Sequence, residues 1–214
     1  AEEGARVAGV DLKEPDPGGL ACAIAADVTD EADMARAAAV ATEELGGLDG
    51  LVAMAGIQAS APTHELDLAT FRTVLDVSAV GTFLAMKSVL PGMLARGGGR
   101  IVTFGSTASV CAAPGLSAYA AAKGAVLQLT RSVAVEYATR GIRANCVCPG
   151  GVETPMLAAI DAARTGPDHF KEGHPIGRYA DPAEIAAVVS FLLSDESSFV
   201  LGAAVMADGG FSVG

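Results

Sequence analysis

Residues 100–148 read RIVTFGSTASVCAAPGLSAYAAAKGAVLQLTRSVAVEYATRGIRANCVC, and the alternation within this stretch indicates the fold class. The apolar runs at 100–106 and 141–148 are typical of buried strands. Between them, residues 118–139 are Ala-rich and amphipathic, which predicts a helix. A strand, a helix and a second strand in this order indicate a parallel sheet covered by helices.

The same alternation continues along the chain in both directions. Further strands are predicted at 6–11, 23–27, 50–55 and 203–207, and further helices at 30–45, 68–96 and 182–193. Glycines follow several of the helical runs and end them. We therefore expect an α/β fold of the doubly wound, Rossmann-like type, with three layers (α/β/α), and one domain over residues 1–214.

Residues 154–179 interrupt this rhythm. The segment holds three prolines and three glycines, and its periodicity is weak. Such a stretch is typical of a lid or binding loop. Its large apolar side chains either line an apolar substrate pocket or pack the lid itself: Met156, Leu157, Ile160 and Phe170.

Charge and apolar patterning exclude several classes of partner. The net charge of −11 over 214 residues argues against nucleic acid and against an anionic membrane surface. We find no apolar stretch of the length that spans a bilayer and no signal peptide. The expected location is the cytoplasm.

Cysteines and histidines give no sign of a metal site. The four cysteines form no C-x-x-C, and no cysteine–histidine cluster has zinc spacing. Cys146 and Cys148 share one face of the strand at 141–148, where an extended backbone disfavours a disulfide between them. We interpret these cysteines, together with His64, His169 and His174, as structural, and the compartment as reducing.

Tyr119 and Lys123 are four residues apart and lie on one face of the helix at 118–139. A phenol with its ordinary pKa near 10 is a poor proton exchanger at neutral pH. A nearby ammonium lowers that pKa and so allows exchange with an alcohol or ketone. By itself, the spacing favours an exposed helix pair.

Ser106 ends the strand at 100–106, where polar residues of parallel sheets meet ligands. Its hydroxyl could donate a hydrogen bond to a substrate oxygen on which charge develops. The alternative is a turn or helix-capping serine.

Several motifs in sequence order resemble the short-chain dehydrogenase/reductase family. YAAAK at 119–123 follows Ser106, AMAG stands at 53–56, PGGVET at 149–154 and DGG at 208–210. The resemblance runs nearly end to end. It implies that Tyr119 is the acid or base, that Lys123 lowers its pKa and binds the nicotinamide ribose, and that Ser106 orients the substrate while hydride moves to or from the nicotinamide.

The resemblance also implies which residues hold the cofactor. Asp27 and Val28 would meet the adenine ring, and further contacts would come from Ala55, Gly56, Pro149, Gly150, Val152 and Thr154. Asp11 ends the first strand, where the family meets the adenosine ribose. A carboxylate there accepts hydrogen bonds from both ribose hydroxyls and repels a 2′-phosphate, which predicts NAD rather than NADP. Otherwise Asp11 is a surface acid in a turn.

Three departures from the family pattern stand out. A Gly-rich β-α unit normally comes first, in the middle of the sheet, so we expect about thirty residues before Ala1. Ala53 and Met54 replace two asparagines. Ser78 replaces an asparagine of the family's proton relay, and its shorter side chain predicts a slower or rerouted relay.

Two functions follow from these patterns. The first is an NAD(H)-dependent enzyme that interconverts a secondary alcohol and a ketone on a small-molecule substrate. The second is a non-catalytic relative that binds a ligand or serves as a structural subunit. In either case the resemblance implies a homotetramer, formed through the helices at 68–96 and 118–139 and the C-terminal strand.

Overall fold

The computed structural model describes residues 4–162 and 169–213. Its strands are β1 (Ala8–Asp11), β2 (Cys22–Ala25), β3 (Gly50–Ala53), β4 (Gly99–Phe104), β5 (Ile142–Pro149) and β6 (Ala204–Ala207). Its α-helices are α1 (Glu31–Leu45), α2 (Leu68–Leu75), α3 (Gly81–Ala95), α4 (Ser117–Tyr137), α5 (Pro155–Ala162), α6 (His169–Glu172) and α7 (Pro182–Leu193). Each of the six predicted strands is present.

Every strand pairing in the described residues is parallel. β1 pairs with β2, while β3, β4, β5 and β6 form a four-stranded ladder in that order. The strands thus fall into two ladders rather than one continuous sheet. Because the strands of each ladder run in the same direction, their carboxyl ends lie at one edge, where ligands bind in this class of fold.

Neighbouring residues of β4 show that helices cover both faces of the larger ladder. Ile101 packs with Met86 and Met93 of α3, whereas the next residue, Val102, packs with residues of α7. Successive side chains of a strand point to opposite faces, so α3 and α7 lie on opposite sides. The predicted three-layer, doubly wound α/β fold is confirmed.

Local capping explains where two of the helices begin. The Asp30 carboxylate accepts a hydrogen bond from the Asp33 amide at the start of α1. Asp181 and Glu184 form a reciprocal capping box at the start of α7. The predicted bounds of α7 are confirmed, and those of α1 differ only in that Asp30 is the cap.

The predicted helix at 68–96 is continuous but not uniform. A π-helical turn, Asp76–Val80, joins α2 to α3. By length and composition Leu68–Ala95 is apolar enough to cross a membrane, so the prediction that no such stretch exists is wrong. Packing accounts for apolar residues in this helix, because 56% of its most apolar window is buried inside the protein.

Two short helices lie in the segment predicted to be irregular. α5 begins at Pro155, which suits the first helical position, and continues with strong helix formers. Phe170 in α6 contacts the rings of His174, Tyr179 and Phe211, which supports packing of the segment itself rather than a pocket. The side chains of Ile160 and His169 lie outside the described part of the structure.

Candidate active site

Ser106 stands two residues beyond β4 and organises the loop that follows. Its hydroxyl accepts a hydrogen bond from the Ala108 amide (3.2 Å) and caps a short 3-10 turn, Thr107–Ser109. The Ser109 hydroxyl in turn donates to the carbonyl of Lys123 at 2.9 Å. The loop is therefore tied to α4. Ser106 therefore caps a helical turn, as one interpretation of its position predicts, and it also lies beside Tyr119.

Tyr119 lies in the first turn of α4, beside Ser106. Ala118 and Ala122 on the neighbouring face are fully buried and pack with Val74 of α2, so α4 cannot rotate about its axis without losing that contact. Burial raises the pKa of Tyr119, and a hydrogen bond with the Ser106 side chain acts in the opposite direction. The phenol and the serine hydroxyl thus form one polar unit at the carboxyl edge of β4.

Lys123, one turn further along α4, is almost completely buried. The residue is 5% exposed, and its Nζ donates to the carbonyl oxygen of Phe104 at 2.7 Å. Nζ lies 5.8 Å from the centre of the Tyr119 ring. Burial lowers the pKa of Lys123 to about 8, because the surroundings disfavour its charged form. The interpretation of Tyr119 and Lys123 as an exposed helix pair is thereby wrong for Lys123.

Ser78 and Gly56 complete the surroundings of the lysine. Ser78 lies in the π-helical turn and is fully buried, and among the described residues its hydroxyl has no hydrogen-bond partner. A β-carbon on Gly56 would stand 3.2 Å from Lys123 Nζ and 3.3 Å from Ser78 Oγ. The ammonium and the hydroxyl therefore converge on the backbone of Gly56. π-helical turns are frequent at functional sites.

Cys146 and Cys148 lie on the same face of β5 and are both free thiols, as their spacing predicts. Their sulfur atoms are 3.9 Å apart. A β-carbon on Gly105 would stand 2.8 Å from the Cys146 sulfur and 2.9 Å from the Cys148 sulfur. Only glycine fits there, so the thiol pair sets how closely the Ser106 loop approaches β5.

A second group of predicted residues lies at the ends of β1 and β2. Asp11 is exposed at the end of β1. The Asp27 carboxylate accepts hydrogen bonds from the amide and the hydroxyl of Thr29, which lower its pKa. Val28 packs against Gly81 at the start of α3, where a β-carbon would stand 2.8 Å from its methyl group. The side chains of Asp11 and Asp27 thus bond residues two positions further along the chain, whereas Val28 contacts α3.

The turn after β5 is held from several sides. The Gly150 amide donates to Ala207, Val152 forms a bridge with Ala180, and the Thr154 hydroxyl donates to the carbonyl of Val152 at 3.1 Å. His174 also bonds this turn, although the sequence indicates no role for it. Its spacing to other residues could not have identified this role, because the bond to the turn joins it to Gly151, 23 residues away.

No cluster of three or more potential metal-ligating side chains occurs in residues 4–162 and 169–213. The polar groups of the site are hydroxyls, one phenol and one amine. These groups suit proton exchange with an oxygen atom and hydrogen bonding to a ribose.

Comparisons with known proteins agree with this geometry. A family model described as Enoyl-(Acyl carrier protein) reductase matches residues 1–212. The chain is 42% identical to 2-(S)-hydroxypropyl-CoM dehydrogenase 3 of Xanthobacter autotrophicus, over 98% of this chain and 88% of that one. It is 44% identical to Inactive 2-(S)-hydroxypropyl-CoM dehydrogenase 2 of the same organism (91% and 86%). Cis-4-hydroxycyclohexanecarboxylate dehydrogenase of Sinomonas cyclohexanicum is 43% identical (92% and 79%).

Solved structures show the same fold. A structure described as a short-chain dehydrogenase/reductase from Burkholderia xenovorans superposes with a TM-score of 0.92 at 33% identity, covering 100% of this chain and 88% of that one. The 3-ketoacyl-(acyl-carrier-protein) reductase from Brucella melitensis complexed with NADH gives 0.89 at 29% (99% and 90%). A gluconate 5-dehydrogenase from Burkholderia cenocepacia in complex with NADP and tartrate gives 0.92 at 30% (100% and 88%). This chain belongs to the short-chain dehydrogenase/reductase family.

Proposed function

We propose that this protein is an NAD(H)-dependent oxidoreductase that interconverts a secondary alcohol and a ketone by hydride transfer, with Tyr119 as the general acid or base. The observation that carries this proposal is the grouping of Ser106, Tyr119 and the buried Lys123 at one strand edge. The names of two relatives, a hydroxypropyl-CoM and a hydroxycyclohexanecarboxylate dehydrogenase, support a hydroxyl compound as the substrate.

The residues at the carboxyl edge fit a nicotinamide dinucleotide. Gly56 leaves backbone exposed beside Lys123 and Ser78, where a side chain would crowd both. We assign the adenosine end to Asp11, Asp27 and Val28, and the nicotinamide end to Ala55, Gly56, Tyr119, Lys123, Pro149, Gly150, Val152 and Thr154. When bound, the cofactor supplies or accepts the hydride.

The chain's own residues would handle the proton. In reduction, the Tyr119 hydroxyl gives its proton to the carbonyl oxygen, and in oxidation the phenolate takes the alcohol proton. Ser106 donates a hydrogen bond to the same oxygen and stabilises the charge that develops there. The Lys123 ammonium stabilises the phenolate and so opposes the rise in pKa that burial of Tyr119 causes.

A binding titration tests the proposal directly. The purified protein is titrated with NADH and with NADPH while nicotinamide fluorescence is followed, and secondary alcohols are then screened for NADH formation. Saturable binding that favours NADH, with turnover of a secondary alcohol, is the expected result. Binding of neither dinucleotide would contradict it.

Replacing Asp11 with alanine should weaken the preference for NADH over NADPH by about 10- to 100-fold. The carboxylate is exposed at the end of β1, where it would bond the ribose hydroxyls and repel a 2′-phosphate. The Kd values of both dinucleotides measure the effect. Asp16→Ala is the matched control, because Asp16 is exposed in the following loop and bonds only the Gly18 amide among its described contacts. An unchanged preference in Asp11→Ala would make Asp11 a surface acid with no role in the choice of cofactor.

Ser78→Ala should lower turnover by about fivefold without lowering thermal stability. We assign the Ser78 hydroxyl to a water-mediated path that carries protons between Lys123 and solvent, and loss of one hydrogen bond costs roughly 1 kcal/mol in the barrier. The buried hydroxyl has no described partner in the fold, so its removal leaves no protein group unsatisfied. Ser88→Ala on the same long helix is the control. Unchanged turnover together with a lower melting temperature would make Ser78 purely structural.

A second candidate function is a non-catalytic ligand-binding or structural subunit. It is favoured by one observation, that a relative 44% identical to this chain is named inactive. Ala53 and Met54 in place of polar residues fit it as well. The retained Ser106, Tyr119 and Lys123 favour the enzyme, and the Tyr119 variant described below separates the two.

The remaining features of the proposal concern the whole molecule. We infer one dinucleotide-binding domain over residues 1–214 and a homotetramer, which is supported by exposed apolar side chains on α3 and α4 such as Phe83 and Val135. We place the protein in the reducing cytoplasm. The four free cysteines support this, above all the unbridged pair Cys146 and Cys148 at 3.9 Å.

A further inference from the structure

His174 is a buried histidine that none of the proton chemistry above uses. Only 3% of it is exposed. Its ring packs edge-on against Phe170 at 4.9 Å and Tyr179 at 5.8 Å between centroids, and tilted against Phe211 at 5.0 Å. The ring is therefore held by aromatic neighbours from three places in the chain, and it cannot turn without displacing them.

Both ring nitrogens make hydrogen bonds to the backbone, and together these bonds determine the protonation of the ring. Nε2 accepts a hydrogen bond from the Gly151 amide at 2.9 Å. Nδ1 lies 2.7 Å from the carbonyl oxygen of Phe170, which can only accept. Both bonds are satisfied only by a neutral imidazole with its proton on Nδ1. His174 thus acts as an acceptor toward Gly151.

The turn after β5 rests directly on this ring and its neighbour. A β-carbon on Gly150 would stand 2.6 Å from His174 Nε2, and one on Gly151 would stand 2.3 Å from the Tyr179 ring. The two glycines therefore allow a contact that no other residue type permits. The backbone of the turn takes its position from the imidazole.

The other hydrogen bonds of the turn use different backbone groups, so the Gly151 amide is bonded by His174. The Gly151 carbonyl accepts from the Ala180 amide at 2.9 Å, and the Gly150 amide donates to the carbonyl of Ala207 at 3.2 Å. These bonds fix the two ends of the Gly150–Gly151 unit, whereas His174 bonds the group between them. Loss of the acceptor would leave a buried amide unsatisfied, which costs more than the bond itself contributes.

We propose that His174 is a positioning residue that holds the Gly150–Gly151 backbone, and through it the turn from Pro149 to Thr154, in the place where it meets the nicotinamide end of the cofactor. This inference rests on the proposed function, which assigns that turn to the nicotinamide. His174 acts through Gly151 and touches no reacting atom.

The test compares two variants with two ligands. His174→Leu keeps an apolar side chain of similar size but removes the acceptor, while His174→Gln offers an oxygen near the place of Nε2. NADH carries the nicotinamide ring, whereas ADP-ribose keeps the adenosine, the pyrophosphate and the second ribose but lacks that ring. We expect His174→Leu to bind NADH about tenfold more weakly than wild type. ADP-ribose affinity should stay within about twofold, and His174→Gln should recover most of the loss.

Controls separate a positioning role from a structural one. Unchanged ADP-ribose binding shows that the variant is folded, and His64→Leu, which alters an exposed histidine, should match wild type for both ligands. Equal losses of NADH and ADP-ribose affinity in His174→Leu would overturn the inference, and so would wild-type NADH affinity in that variant. If wild-type protein binds neither ligand, the proposed function itself fails. That result is distinguishable from the two outcomes that overturn the inference, because in both of those the wild-type protein binds NADH.

Discussion

Tyr119→Phe is expected to lower turnover by about 10²- to 10⁴-fold, the range that positioned acid–base groups contribute. Phenylalanine keeps the ring that packs in the first turn of α4 and removes only the hydroxyl that exchanges the proton and bonds Ser106. Dinucleotide affinity should change little. The measurements are kcat for a secondary alcohol and the Kd of NADH.

Tyr137→Phe is the matched control, because Tyr137 lies at the other end of the same helix. It should retain full turnover. A Tyr119→Phe protein with wild-type turnover would remove the tyrosine from the chemistry. If neither wild type nor variant turns over any secondary alcohol while both bind NADH equally, the non-catalytic function is the better description.

Lys123→Met is expected to reduce turnover by at least about 10²-fold and, unlike the tyrosine variant, to weaken dinucleotide binding as well. Methionine fills the buried space but brings no charge and no donor. The bond to the Phe104 carbonyl is lost, and so is the group 5.8 Å from the Tyr119 ring that stabilises the phenolate. The measurements are kcat and NADH Kd. Lys87→Met is the control, since Lys87 is exposed and paired only with Glu31 among its described contacts.

The pH profile of the lysine variant gives a second, independent readout. Burial lowers the pKa of Lys123 to about 8 and raises that of Tyr119. In the proposed mechanism the two groups titrate as a pair. Alcohol oxidation needs the pair with one proton fewer, so its rate should rise with pH through about 8, whereas ketone reduction should fall. In Lys123→Met the tyrosine titrates alone, so the rise in the oxidation rate should occur at higher pH. If the rise stays at the same pH in the variant, Lys123 does not determine the pH at which it occurs.

Comparison of the predicted and observed site shows which kinds of inference succeed. The six strands follow from the apolar pattern of each segment, and the two covered faces of the sheet follow from the alternation of strands with helices. The placement of Tyr119 and Lys123 on one face of α4 follows from helical spacing alone. Errors arose where an apolar pattern could have two causes. The protein core buries 56% of the most apolar window of Leu68–Ala95, and hydropathy alone does not distinguish a core from a lipid environment.

The α/β alternation, the bounds of α1 and α7 and the spacing of the reactive residues follow from the amino-acid sequence alone, because each of these is a local or periodic property of the chain. Only the tertiary structure decided that Lys123 is buried deeply enough to lower its pKa, that Ser78 and Gly56 meet it, and that Gly151 bonds His174. These contacts join residues from 23 to more than 40 positions apart. Periodicity shows which face of a helix or strand is covered, but the partner that covers it is chosen by how the layers pack.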